Sequence, residues 1–331
     1  MLDSVKAIAA DTAGVFRQIV DAGRIGARGN IAIIGEPGDG ILLARRFQNM
    51  DESDNIDGRP VRDSLPDFAG EVFHVLLDEY NAPYSHFLSF EADTLSRSGL
   101  DSLRELAVRN AVYAWQDGAK ILVFTSPLQA EYGLFDVDTL RKMAGASTVI
   151  LSPLVSMYTE ALDAGATRLA VWTSREKRHS GVYAKVFSRM APAGASVEVI
   201  TPDAALDVRT ELRSLLRQYL SRAEALDAIL IDDYSVNLLP LSYELTLIRH
   251  CATEEDRAFN GLLSPGFHFI TPGPSVTQAV GRVLREEKLF THRIAHPEVR
   301  YYQSVESEEG GMTVMEVGAR YVQEAYVQDF N

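Results

Sequence analysis

Six short stretches of the chain hold residues able to do chemistry: "GEPGDG" from Gly35, "TSP" from Thr125, "TSREKRHSG" from Thr173, "DDYS" from Asp232, "TPGP" from Thr271, and "RHC" ending at Cys251. The first is spaced G-x-x-G-x-G, whereas the dinucleotide fingerprint is G-x-G-x-x-G. A Walker A loop needs Lys and then Ser or Thr where Ile41 and Leu42 stand. This argues against an NTPase and leaves a nicotinamide site resting on a glycine turn alone. Such a turn at a helix start still presents backbone N–H groups, which bind one carboxylate without a cofactor. Cys251 and His250 are sequence neighbours, and neighbours on a helix face different sides, so they form no dyad. His292 and His296 have the spacing of zinc ligands, but Pro297 breaks the helix that would place them and no H-E-x-x-H pattern occurs. No metal and no cofactor are expected. His179, Arg175 and Lys177 form a basic run that either attracts an anion or is a solvated loop.

The elements that must position these residues alternate regularly. "IAII" (31–34), "EVFHVLLDEY", "KILVFTSP", "STVILSP", "RLAVWTS", "SVEVITP", "DAILIDDYS" and "FHFITPGP" read as strands. Between most of them lie segments with helical apolar spacing, such as "LDSLRELAVRNAVYAWQDGA". Strands alternating with helices predict parallel sheets covered on both faces, with ligands beyond the carboxyl ends of the strands. Those ends are where the sequence turns polar and glycine-rich. Residues 3–23 read as one amphipathic helix, and the segment after Lys288 as a β-hairpin around Gly310–Gly311, placed as an edge ribbon, a lid or a dimer contact.

The order of these turns resembles the aspartate/glutamate racemase superfamily, which includes hydantoin racemases, maleate isomerases and arylmalonate decarboxylases. The resemblance covers about 30–287. "IAIIGEPG" resembles the family's opening strand and Gly-Gly-x-Gly turn, with Glu36 in place of the second glycine. "DGAKILVFTSP" is similar to the strand that delivers the first catalytic cysteine. In "GATRLAVWTSREKRHSGVY", Thr173, Ser180 and Tyr183 match the family's strand, threonine and Ser-Gly-x-x-Tyr pattern. "LDAILIDDYSVNLLPL" resembles the strand ending in Gly-Cys-Thr, and "GFHFITPGPSVTQAVGRVL" the strand and helix that return to the first lobe.

The register of that resemblance puts Thr125 at the first cysteine and Asp233 at the second, with Asp232 and Tyr234 on either side. A slip of one residue would make Ser126 or Asp232 the relevant positions. Both thiols are missing, so two-sided thiol racemisation is not expected. A threonine hydroxyl is too weak a base for that role but donates a hydrogen bond to a carboxylate or enolate oxygen. An aspartate acts as a base when its surroundings allow. The resemblance thus implies one-sided, cofactor-independent acid–base chemistry of lyase, isomerase or decarboxylase type on a small carboxylic acid. Asp233 and Thr125 would be catalytic. Gly35, Glu36, Ser126, Thr173, Ser174, Ser180, Tyr183, Tyr234 and Ser235 would bind substrate. Two further readings stay open: a racemase-like protein that binds a ligand without turnover, and a nicotinamide-dependent enzyme using "GEPGDG".

Size and charge bound these readings. The chain has 331 residues, 46% hydrophobic and 24% charged, as in an ordinary globular protein. A net charge of −14 repels nucleic acid and anionic membrane, so neither is an expected partner; it also repels a small anion, so the small carboxylate partner that the resemblance implies would need a local cluster of donors. Polar residues 51–71, with six acids between Asp51 and Asp67, read as a solvated surface loop. One cysteine suits a reducing compartment, no signal peptide is read in the first 25 residues, and the cytoplasm is expected. The expected fold class is α/β: two similar three-layer lobes with mainly parallel sheets and a cleft between them. The expected divisions are an N-terminal helix (1–27), a first lobe (28–153 plus 262–287), a second lobe (154–261) and a C-terminal hairpin (288–331). Apolar faces on the two extensions point to a homodimer.

Overall fold

The computed structural model describes residues 1–52, 59, 61–62, 65–91, 94–201, 207–220, 225–291, 293–308 and 312–327. Part of the acidic loop, His292 and the hairpin tip at Gly310–Gly311 lie outside the described residues. The chain forms two compact units, Met1–Pro153 with Val276–Asn331, and Leu154–Ser275.

The first unit opens with α1 (Asp3–Ala10) and α2 (Val15–Ala22), then β1 (Asn30–Gly35), α3 (Pro37–Asn49) and β2 (Val72–Leu77). A two-stranded ribbon of β3 (Phe90–Glu91) and β4 (Thr94–Leu95) precedes α4 (Arg97–Gln116), β5 (Ala119–Phe124), α5 (Pro127–Met143) and β6 (Val149–Leu151). The second unit holds α6 (Pro153–Asp163), β7 (Arg168–Trp172), α7 (Arg175–His179), α8 (Val182–Met190), β8 (Ser196–Ile200) and α9 (Val208–Leu220). It continues with β9 (Leu226–Ile231), α10 (Leu238–Arg249), α11 (Glu254–Leu262) and β10 (Leu263–Ile270). Helix α12 (Pro272–Glu286) leads back to the first unit, which ends with β11 (Glu298–Glu306), β12 (Met312–Val317) and α13 (Ala319–Val322).

The first sheet has the order β12-β11-β2-β1-β5-β6, and only the β11–β12 pair is antiparallel. The second is β10-β9-β7-β8, parallel throughout. Counting from each unit's first strand, both follow the order second-first-third-fourth. The α/β class and the similarity of the two lobes are therefore as expected. Strands β1 and β5 are buried along their whole length, which is why they read as unbroken apolar runs rather than alternating ones.

Three expectations change. The single helix over 3–23 is two, because the Asp11 carboxylate accepts from the N–H groups of Gly14 (3.0 Å) and Val15 (3.2 Å) and starts a new helix there. The apolar faces of both helices are covered by the unit's own core: Val5 and Ile19 are fully buried with Ala107, Val108 and Ala111 of α4. That removes them as the reason for a dimer contact. Residues 262–275 belong to the second unit, not the first, because β10 pairs with β9 from His268↔Ala228 to Ile270↔Leu230. The C-terminal hairpin is an edge ribbon whose β11 lies parallel to β2, from Glu298↔Val72 to Gln303↔Leu77.

One ion pair is buried at the amino end of the first sheet. Lys120 Nζ donates to Glu71 Oε2 (2.6 Å), Leu289 O (2.7 Å) and Ala27 O (3.0 Å), while Glu71 Oε1 accepts from Thr291 N (3.0 Å). All three ammonium protons are used. Burial pushes Lys120 below its usual range and Glu71 above its own, each against the pull of its partner. The pair ties β5 and the start of β2 to the segments around Ala27 and Leu289. Among the described residues no helix is long and apolar enough to cross a membrane.

Candidate functional sites at the two strand crossovers

In each sheet the chain leaves in opposite directions from the first and third strands: β1 and β5 in one unit, β7 and β9 in the other. Open parallel sheets hold ligands beyond the carboxyl ends of such strands. Those four ends carry Gly35–Glu36, Thr125–Ser126, Thr173–Ser174 and Asp232–Asp233. The sequence-derived candidates therefore gather at two crossovers, one in each unit.

In the second unit, strand pairing runs one residue past β9, with Asp232 N donating to Trp172 O (3.0 Å), so the position of Asp232 is fixed beside Thr173. Gly181 takes a left-handed φ of 70° that starts α8, and Tyr183 in its first turn is fully buried. Three donors converge on Asp232 Oδ2: Tyr183 OH at 2.6 Å, Lys177 Nζ at 3.1 Å and Thr173 Oγ1 at 3.4 Å. Thr173 Oγ1 also lies 2.9 Å from Tyr183 OH, so with the Tyr183 proton on Asp232 the single Thr173 proton is shared between Tyr183 OH and Oδ2, and Tyr158 OH donates to Tyr183 O (3.1 Å). Among the described residues no donor reaches Oδ1. Burial, and then the charge of Asp232, push the Tyr183 hydroxyl well above the usual tyrosine range. Tyr183 thus remains a proton donor at any ordinary pH. The Asp232 side chain is 2% exposed and that of Lys177 is 33% exposed.

Its neighbours do other work. Asp233 is exposed, and its Oδ1 accepts from Ser235 N (2.7 Å) and Ser235 Oγ (2.6 Å), closing a local turn. Tyr234 is half-buried in that turn. Ser174 caps α7 by accepting from Lys177 N (3.3 Å), and Ser180 Oγ donates to Lys177 O (2.5 Å). His179 is exposed, its Nδ1 held by Arg175 O (2.7 Å). Cys251 lies beyond α10 with a left-handed φ of 53°.

At the first unit's crossover, Ser126 caps α5, accepting from Gln129 N at 3.5 Å. Thr125 is 1% exposed, yet its Oγ1 has no hydrogen-bond partner among the described residues. Gln129, in the first turn of α5, is fully buried with both amide atoms in the same condition. Buried polar groups are nearly always paired, so two such side chains at one helix start call for a ligand or ordered water. Glu36 precedes α3, and its Oε1 accepts from Tyr84 N (2.8 Å). A carboxylate at that helix start disfavours a pyrophosphate there.

Gly35 is fitted to Thr125. A Cβ on Gly35 would lie 1.8 Å from Thr125 Oγ1 and 3.0 Å from its Cβ. Threonine is stiff about χ1, so the strands must move instead. Gly35→Ala is expected to lower stability by about 1–3 kcal/mol. In urea unfolding Gly35→Ala/Thr125→Ala should recover most of the loss, and no recovery would mean that the clash lies elsewhere.

Sequence reasoning passed over Gln129 and Tyr158. Gln129 was legible as a polar residue in the apolar first turn "PLQA"; Tyr158 carried no signal beyond helical spacing.

No family model matches the chain, and no curated protein does. Solved structures do. The glutamate racemase isoform RacE1 of Bacillus anthracis is 11% identical, with 84% of this chain and 89% of that chain covered and a TM-score of 0.55. The glutamate racemase of Francisella tularensis subsp. tularensis, in complex with D-glutamate, is 13% identical, with 91% and 94% covered and a TM-score of 0.55. At such identity the likeness is one of fold: the racemase-like architecture that the sequence resemblance implied is the architecture of this chain.

Proposed function

We propose that this chain performs cofactor-independent proton transfer on a small carboxylic acid, with Asp232 as the proton carrier. The observation that carries the reading is the convergence of Tyr183, Thr173 and Lys177 on one oxygen of Asp232 at the end of β9. Three donors orient the carboxylate and leave Oδ1 to take or return a proton. Lys177, partly exposed, supplies a positive charge that favours an anionic acid despite the chain's net −14. The proton-carrying role expected of Asp233 passes to Asp232, because Asp233 points to solvent and holds Ser235.

A second reading, ligand binding without turnover, draws on a different observation: the unpartnered Thr125 hydroxyl and Gln129 amide of the first unit. Both donate, both are buried, and a bound carboxylate would satisfy them without any proton moving.

The two readings separate in one experiment. The protein is incubated, without added metal or nucleotide, with a panel of small chiral, unsaturated and malonic acids, and products are read by NMR. Inversion, double-bond isomerisation or loss of carbon dioxide is expected for at least one acid. If no member is converted while calorimetry still detects an acid binding to the wild type and not to Thr125→Val, the binding reading replaces the first.

A further inference from the structure

A groove of about 290 Å³ opens on one face of the first sheet, toward its far edge and away from the β1/β5 crossover. Strand alternation puts Ala32 of β1, Leu76 of β2, Tyr302 of β11 and Val314 of β12 on that face, and Tyr113 of α4 joins them. Tyr113 OH donates to Met312 O (3.1 Å), which fixes this wall against the ribbon. The floor is apolar: Ala32 is 3% and Leu76 7% exposed.

Three polar side chains join this lining, Gln116 and Asp117 at the end of α4 and His74 from the sheet itself. His74 sits mid-strand in β2, where apolar packing alone would call for an aliphatic residue, and its ring lies 5.2 Å from that of Tyr302. Its Nδ1 is hydrogen-bonded to the Asp117 carboxylate just beyond α4. An ionised carboxylate only accepts, so Nδ1 carries the proton of this bond. That fixes the tautomer: in the neutral ring Nε2 is a bare acceptor, and nothing among the described residues is bonded to it. The carboxylate thus holds the ring in one orientation, with the second nitrogen left to accept from a donor that enters the groove beside Tyr302.

We propose that this groove binds a small, uncharged aromatic molecule whose O–H or N–H group donates to His74 Nε2. The ring packs between Tyr113 and Tyr302 over Ala32 and Leu76. The volume, about 290 Å³, suits a one- or two-ring compound and lies just under the range for small-molecule sites, about 300–1,000 Å³. Asp117, whose side chain is 45% exposed, together with the chain's net charge of −14, disfavours anions here. The ligand chemistry is therefore different from that of the carboxylic acid proposed above, and neither proposal depends on the other.

Phenol and indole, with benzoate as the anionic counterpart, test this on the full chain with histidine labelled with carbon-13 at Cε1. The His74 signal is assigned by its loss in His74→Leu. Phenol or indole at millimolar concentration is expected to shift that signal saturably, while benzoate does not. Val314→Trp, which fills the groove from the edge strand, should abolish the shift. In His74→Leu, binding read by calorimetry should weaken about tenfold, the loss of one hydrogen bond. The proposal is overturned if neither phenol nor indole gives a saturable shift, if benzoate matches them, or if the shift persists in a folded Val314→Trp protein. A circular dichroism spectrum unchanged from the wild type establishes that the variant is folded; if it is not, Tyr113→Ala, which removes one wall, should weaken phenol binding, and unchanged affinity there overturns the proposal equally.

Discussion

Asp232→Asn is expected to lower turnover by about 10²–10⁴-fold, the usual worth of a positioned acid or base, with the fold retained. Asparagine keeps the shape of the side chain and still accepts from Tyr183 and Thr173, but it carries no proton between substrate and solvent. Lys177 loses its counter-charge on Oδ2, so substrate affinity should rise or hold while the rate falls. Asp233→Asn is the control. That carboxylate is exposed and bonded only to Ser235 among the described residues, so its loss should change the rate less than about threefold. Tyr183→Phe removes the 2.6 Å donor to Asp232 and belongs between the two, lowering the rate without abolishing it. Steady-state kinetics on the acid identified by the product screen decide the matter. Equal activity in Asp232→Asn and the wild type, or a loss confined to Asp233→Asn, would exchange the roles assigned to the two aspartates.

The largest stability effect is expected at Lys120. Lys120→Met leaves the fully buried Glu71 carboxylate, among the described residues, with Thr291 alone, and strips the carbonyls of Ala27 and Leu289 of this donor. Breaking a buried ion pair from one side costs about 3–5 kcal/mol, because the remaining charge has no compensation. That is a large share of the net stability of a typical domain, about 5–15 kcal/mol. The double variant Lys120→Met/Glu71→Leu removes both charges and should recover much of the loss, since an apolar pair of similar volume is often neutral or better. Urea denaturation, followed by circular dichroism, checks both. If Lys120→Met alone cannot be purified folded, the double variant still can be tested, and its failure would contradict the account. A loss below about 1 kcal/mol in the single variant would show that water reaches Glu71.

The central strands of the first sheet were legible because they are buried on both faces, which writes "IAII" and "ILVF" as continuous apolar runs. Their partners were less so. Nothing in "FHFITPGP" says which sheet receives it, since pairing partner is decided by tertiary contacts; β10 went to β9 and moved the return to the first unit from 262 to 276. The N-terminal break was written in Asp11 and Gly14, yet apolar spacing continues through it and masked it. At the candidate site, the strand ends were legible, but the choice between Asp232 and Asp233 was not. Two identical side chains one residue apart face opposite ways, and only Tyr183, brought in by the turn at Gly181, marks which one is inside. Charged and polar residues inside apolar strands, Lys120 and His74, were the overlooked signal. Each breaks a hydrophobic run, and each has a specific carboxylate partner.

The most direct test of the central claim is deuterium incorporation at the α-carbon of a small carboxylic acid. Wild type and Asp232→Asn are each incubated with the acid in deuterated water, and the α-proton signal is followed by NMR. Loss of that signal with the wild type, and its persistence at the uncatalysed rate with Asp232→Asn, is the expected result. Exchange that proceeds equally with both proteins would contradict a proton-carrying Asp232, and exchange with neither, across the acids that bind, would contradict proton transfer itself.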